Sequence, residues 1–192
     1  MTVLNLHNDP VSPSAEFRGA MRQLAGGVSI ITVGRDKDIS GMTVTSVSSL
    51  SIEPPTLIVS VNRGSSSWPL LRRHGAFGVN LLNADQLEIA ERFAGKGGIR
   101  GADRFAGAKW RAGLSGVPLL EGALAAIECE VEDVFERHSH AIVIGRVLEV
   151  RTSKPASALV YWQDQYVAVD RDEDARKLAE VSLPAARALR KV

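Results

Sequence analysis

Between Gly41 and Leu50 the chain carries no charge and is dense in short hydroxyl side chains: Thr43, Thr45, Ser46, Ser48 and Ser49. Hydroxyls both donate and accept, so on an extended segment they suit a ring carbonyl, a sugar-alcohol chain or a phosphate. The strand period of two puts Met42, Val44 and Ser46 on one face and Thr43, Thr45 and Val47 on the other. On composition alone, an ordinary Thr/Ser-rich strand is the simpler explanation. A second hydroxyl group follows, where Ser60-Val61-Asn62 runs into Arg63-Gly64-Ser65-Ser66-Ser67 ahead of Trp68. His138 and His140 stand two apart at a polar tip. That spacing invites a metal reading, but no further His, Cys or carboxylate at ligand spacing completes it. His7 and His74 read as exposed. Cys129 alternates with Ile127 and Val131 and reads as a small buried hydrophobe. There is no nucleophile elbow, P-loop or zinc spacing. The glycines at 95, 97, 98 and 101 form no dinucleotide fingerprint, since no strand leads into them.

The elements that must position these residues follow from periodicity. Residues 13–24 read as a helix with Phe17, Met21 and Leu24 on one face. Residues 28–33 form a strand, 34–38 a turn, and the hydroxyl stretch the returning strand of a hairpin. Pro54-Pro55 ends that strand, because proline cannot donate to a ladder. Residues 56–62 are a strand, 68–73 a short helix, 76–82 a strand, and 83–93 a helix with Leu87, Ile89, Ala90 and Phe93 as its apolar stripe. The glycine density of 95–101 predicts a flexible loop. Long strands cover 124–135 and 141–151, joined by a hairpin tip at 136–140, and a last strand covers 161–169. Many short strands with few helices and no βαβ alternation favour an antiparallel barrel over a doubly wound sheet.

Composition sets the limits. The 192 residues suit one domain with a substantial core. We expect a loose segment at 1–12, the domain at 13–170 and a charged helical tail at 171–192. With 23 Lys plus Arg against 22 Asp plus Glu, no bulk field draws the chain to nucleic acid or an anionic membrane. No apolar run approaches spanning length, and the single cysteine suits a reducing compartment, so a cytoplasmic protein is expected.

Taken in order and spacing, several segments resemble the flavin reductase family over residues 17–169. They are Gly41-Met42-Thr43-Val44-Thr45-Ser46, the Pro54-Pro55 break, and Ser60-Val61-Asn62 with its serine loop. Further on come Phe77-Gly78-Val79-Asn80-Leu81-Leu82, Asp103-Arg104-Phe105, and His140 ahead of Ile144-Gly145-Arg146-Val147. The resemblance implies a mainly β fold with peripheral helices, an antiparallel Greek-key split β-barrel of the FMN-binding type. It also implies hydride transfer from NADH or NADPH to FMN or FAD, with reduced flavin passing to a separate oxygenase component, and a homodimer.

For the site, the resemblance implies that Thr43, Val44, Thr45 and Ser46 line the isoalloxazine edge and ribityl chain. Ser60, Val61 and Asn62 would lie along the ring, largely through backbone groups, and Ser65, Ser66 and Ser67 would hold the phosphate end. Arg63 is the candidate for the cation the family often has in this loop, although it stands one position off. His140 would lie beside flavin and nicotinamide, with Ser139 before it where the family usually has Asp or Thr. Phe93 and Tyr166 are further expected cofactor contacts. For Trp162 and Tyr166, a place in the barrel core or dimer seam is an equal alternative. Two other functions fit the same resemblance: a flavin store or sensor without turnover, and a reductase of another acceptor, such as a corrinoid, using bound FMN.

Overall fold

The computed structural model describes residues 13–170, 172, 173 and 176–178. The loose segment expected at 1–12 and most of the tail expected at 171–192 lie outside the described residues. The chain begins with helix α1 (Pro13–Met21) and a two-residue strand β1 (Gly26–Gly27). Then come β2 (Ser29–Arg35), β3 (Asp38–Val44), β4 (Ser48–Ser51), β5 (Thr56–Asn62), α2 (Trp68–His74) and β6 (Ala76–Leu81). After α3 (Leu87–Phe93) follow β7 (Trp110–Ala112), β8 (Pro118–Leu120), β9 (Ala125–Arg137), β10 (His140–Thr152), β11 (Ala158–Trp162) and β12 (Gln165–Val169).

Seven strands form the main sheet in the order β3-β2-β6-β9-β10-β5-β4, with every pairing antiparallel. Its two edge strands, β3 and β4, are consecutive in sequence and joined by residues 45–47 alone. The sheet therefore curls toward closure and leaves a seam between them. Alternation on β5 turns Leu57, Val59 and Val61 inward and Ile58 and Ser60 outward. The inward residues meet Ile31, Val33, Phe77, Val79, Cys129 and Val143 in one core, which α2 caps with Leu70 and Leu71. Strand β2 is buried on both faces, because its outward Ile30 packs with Ala90 and Phe93 of α3 in a second cluster. Burying such a side chain is worth about 1.5–3 kcal/mol. Exposed ion pairs such as Arg73–Asp38 give under about 1 kcal/mol, so the two clusters hold the sheet.

The interior is tight. A Cβ at Gly145 would overlap the Phe77 ring and crowd Cys129, so Gly145→Ala is expected to cost about 1–3 kcal/mol by overpacking, read as a lower Tm in thermal unfolding. Cys129 is fully buried, and burial, reinforced by the Glu128 charge, pushes its thiol up to about 12. Glu128 is itself buried and accepts the Leu114 and Ser115 N–H groups at 2.6 Å each, tying down the loop after β7.

The structure departs from the sequence expectations in several places. The hydroxyl stretch, expected as one strand, breaks at residues 45–47 into β3 and β4 on opposite sheet edges, and His74, expected to be exposed, is largely covered beside Asp38. The single strand expected at 161–169 is the β11–β12 hairpin, turned at Gln163 and Asp164 with φ of 48° and 61°. Neither residue is glycine or asparagine, so the turn carried no signal. The short strands β7 and β8 were not expected. Where a flexible loop was expected at 95–101, there is a 3-10 turn at Lys96–Gly98, and a second at Gly101–Phe105 follows it. Finally, the apolar face of α1 is uncovered, with Phe17 66% and Leu24 65% exposed. The antiparallel split barrel with peripheral helices, expected from the resemblance, is the observed fold.

Candidate active site at the barrel seam

The seam opens into a cavity of about 440 Å³. The end of β3 and the connector after it supply Met42, Thr43, Val44, Thr45 and Ser46, and β5 supplies Ser60 and Asn62. Ser65 enters from the loop before α2, Phe93 and Ala94 from the end of α3, and His140 from the start of β10. These pieces converge because β5 and β10 pair with Asn62 opposite His140, and because the connector crosses to β5. There the Ser46 hydroxyl donates to the Ser60 carbonyl at 3.0 Å and receives the Ser60 N–H at 3.3 Å, stitching the seam.

Several hydroxyls have partners already. Thr43 Oγ1 donates to the Ala90 carbonyl at 2.6 Å, fastening α3 to β3. Ser66 and Ser67 sit behind the cavity wall, with both hydroxyls at Ser40 Oγ, 3.0 and 3.1 Å away, and Ser67 fully buried. Ser65 differs: its Oγ is buried and has no hydrogen-bond partner. An orphaned hydroxyl costs about 1–3 kcal/mol unless something satisfies it.

Val61, Tyr166 and Arg63 also lie off this wall. Val61 faces the barrel core, as strand alternation requires. Tyr166 lines a neighbouring cavity of about 260 Å³ with Thr43, Val44, Thr45, Ala94 and Tyr161, its ring edge-on to Tyr161 at 5.1 Å. Burial first, then Tyr161 and Glu91, raise the Tyr166 phenol. Arg63 turns away from the serine loop: its Nη1 donates to the His138 carbonyl at 3.0 Å, and its Nη2 lies 2.6 Å from Glu136. Its backbone N–H reaches the Ser139 carbonyl at 2.9 Å. Arg63 thus braces the turn from which His140 emerges, and the Ser139 hydroxyl holds His140 Nδ1 at 2.9 Å.

Arg104 is the side chain that sequence reasoning did not place in the site. Its Nε donates to the Ile99 carbonyl at 3.1 Å and its Nη1 to the Gly41 carbonyl, so the guanidinium is held in the cavity wall. Burial, and then Arg100, pull its pKa down, yet an arginine remains charged. Neighbouring Phe105 anchors this turn by packing against Phe93 and Trp110 at ring-centre distances of 5.0 and 4.9 Å. The available signal was the Asp103-Arg104-Phe105 motif itself. Met42 and Ala94 are further wall residues that the expectations omitted.

The wall therefore combines donor hydroxyls, one cation, one imidazole, apolar surface from Val44 and Phe93, and no carboxylate. Such a surface suits an elongated ligand with a flat ring and an anionic end. Among the described residues, no group of three His, Cys, Asp or Glu could hold a metal ion.

Fold and site together define a split-barrel protein with a cavity of hydroxyl, cationic and apolar side chains at its seam. Residues 21–170 match the model of the flavin reductase like domain, and the chain belongs to that family. The FMN reductase (NADH) RutF of Cronobacter sakazakii is 35% identical over 161 residues, spanning 84% of this chain and 96% of that protein. The flavin reductase component BorF of a bacterial two-component tryptophan halogenase superposes with a TM-score of 0.75 at 34% identity, covering 82% and 99% of the two chains. The NADH:FAD oxidoreductase of Streptomyces globisporus, solved with NAD and FAD fragments, gives a TM-score of 0.75 at 27% identity, covering 83% and 94%.

Proposed function

We propose that the seam cavity binds a flavin, FMN or FAD, and that the chain reduces it with NADH. The observation that carries this is the buried, unpartnered Ser65 Oγ in a cavity whose wall also holds the Arg104 guanidinium, among hydroxyls, apolar side chains, Asn62 and His140. The residues fit the group. Arg104 and Ser65 would take the phosphate, Ser60 and Ser46 the ribityl and ring polar atoms, and Val44 and Phe93 the ring face. A bound flavin supplies the chemistry by accepting a hydride from the reduced nicotinamide. The protein's part is to stack the two rings, orient them and keep water out. His140, braced through Ser139 and Arg63, positions the nicotinamide side. Ser65→Ala is expected to weaken flavin binding by about 0.5–1.5 kcal/mol, several-fold in Kd, in a fluorescence titration. Unchanged affinity would remove Ser65 from the site.

Residues 13–170 are the working unit of this proposal. The halogenase reductase component supports passage of reduced flavin to a separate oxygenase. Among the described residues no helix is long and apolar enough to cross a membrane, and the buried lone cysteine fits a reducing cytoplasm.

The site lies beside apolar surface. Phe135 and Ile142 face each other across β9 and β10, 52% and 47% exposed, and Ile142 also pairs with Ser60 of the cavity. A second copy covering this face would form a homodimer and wall the flavin from outside. Ile142→Asp is then expected to yield monomers in sedimentation velocity and to weaken flavin binding together. A dimer that survives this substitution would place the contact elsewhere.

A further inference from the structure

We propose that the open end of the barrel holds a second ligand, an uncharged and largely apolar small molecule carrying one hydrogen-bonding group. Five strands each send one side chain to this end: Ser29 from β2, Leu57 from β5, Leu81 from β6, Ile127 from β9 and Val147 from β10. Strand alternation turns them inward, two residues along from core members such as Ile31, Val59, Val79 and Cys129. The core is packed at that inner layer and open at the next. There the five side chains surround a cavity of about 550 Å³, completed by Leu124 and the exposed Ile52.

The wall defines the occupant. Packed interiors leave few voids larger than a water, whereas this volume falls in the range of small-molecule pockets. Every residue that lines it is uncharged, and most are aliphatic. A charged ligand would lose its hydration there and find no ion partner. Ser29 breaks the apolar pattern. It is 2% exposed, and its hydroxyl has no hydrogen-bond partner among the described residues. A hydroxyl buried in this way is costly to leave unpaired. One polar group on an otherwise apolar ligand would satisfy it.

This end is separate from the seam cavity. No residue lines both. The two approach at the connector after β3, where Val47 lines this cavity and Ser46 lines the seam. With no cation in the wall, a phosphate-bearing flavin or nicotinamide finds no counter-charge here. The proposal therefore stands on its own, whatever the seam cavity binds.

The test is equilibrium dialysis of the full chain with 2-naphthol, naphthalene and 2-naphthoate, with and without excess FMN. The first two should bind, and FMN should displace neither. The carboxylate should bind about ten-fold more weakly than 2-naphthol, because the wall offers it no counter-charge. Ser29→Ala should weaken 2-naphthol several-fold and leave naphthalene unchanged, since only the first has an O–H for the serine. Leu124→Trp fills the cavity from its wall and should weaken both on the order of ten-fold. If a thermal melt shows that the tryptophan variant does not fold, the Ser29 and carboxylate arms decide. Displacement by FMN, equal binding of the carboxylate, or a Ser29→Ala variant that keeps full affinity for 2-naphthol would overturn the assignment. Binding that disappears as the chain self-associates in sedimentation would give the barrel end to a second copy and overturn it as well.

Discussion

Arg104→Ala is expected to raise the flavin Kd roughly ten-fold to a hundred-fold, the effect of losing a charge-assisted hydrogen bond worth about 1.5–3 kcal/mol. Among the described residues Arg104 is the one cation in the cavity wall, with Arg100 near it but outside that wall. The side chain has a second task, because its bonds to the Ile99 and Gly41 carbonyls hold the Gly101–Phe105 turn against β3. Arg104→Lys separates the two roles. It keeps the charge and loses the fork, so binding should fall between wild type and alanine. Isothermal titration with FMN, paired with a thermal melt of each variant, measures both. A lysine variant as weak as alanine with an unchanged Tm would mean that the fork geometry, not the charge, binds the ligand. Wild-type affinity in Arg104→Ala would exclude this end of the cavity as the phosphate site.

His140→Ala should lower hydride-transfer rate on the order of ten-fold and weaken NADH binding, with little change in flavin affinity. The size follows from lost orientation, since the hydride step itself calls for no general acid. His140 lines the cavity opposite Asn62, while its neighbour His138 occupies the turn at φ 50° and contributes its carbonyl to Arg63. His138→Ala therefore serves as the comparison and should keep near-wild-type rates in stopped-flow reduction. A larger loss in the His138 variant would reverse the assignment of the two histidines.

Much of this site was legible because its residues sit on strands, where a period of two fixes which side chains share a face. The limits 56–62 emerge from the alternation Leu57, Val59, Val61 against Ile58, Ser60, Asn62, and the same alternation sends Val61 to the core. The serine loop was harder. Three consecutive hydroxyls differ only in the direction the tight turn gives them, and that turn aims Ser65 at the cavity while Ser66 and Ser67 bond to Ser40. Arg104 was hidden for another reason. Its position depends on 3-10 turns in a glycine-rich stretch without periodicity, pinned by the contacts of Phe105 with Phe93 and Trp110. The β11–β12 turn escaped notice because its two left-handed residues are Gln163 and Asp164.

The central claim is that this cavity brings NADH and a flavin together for hydride transfer. Anaerobic mixing of the protein with FMN and NADH tests it most directly, by following loss of the oxidised flavin's visible absorbance. The account predicts protein-dependent bleaching that turns over many equivalents of free flavin and is slowed in both the Arg104→Ala and His140→Ala variants. Flavin that binds but stays oxidised in the presence of NADH would contradict it and leave a flavin store in its place.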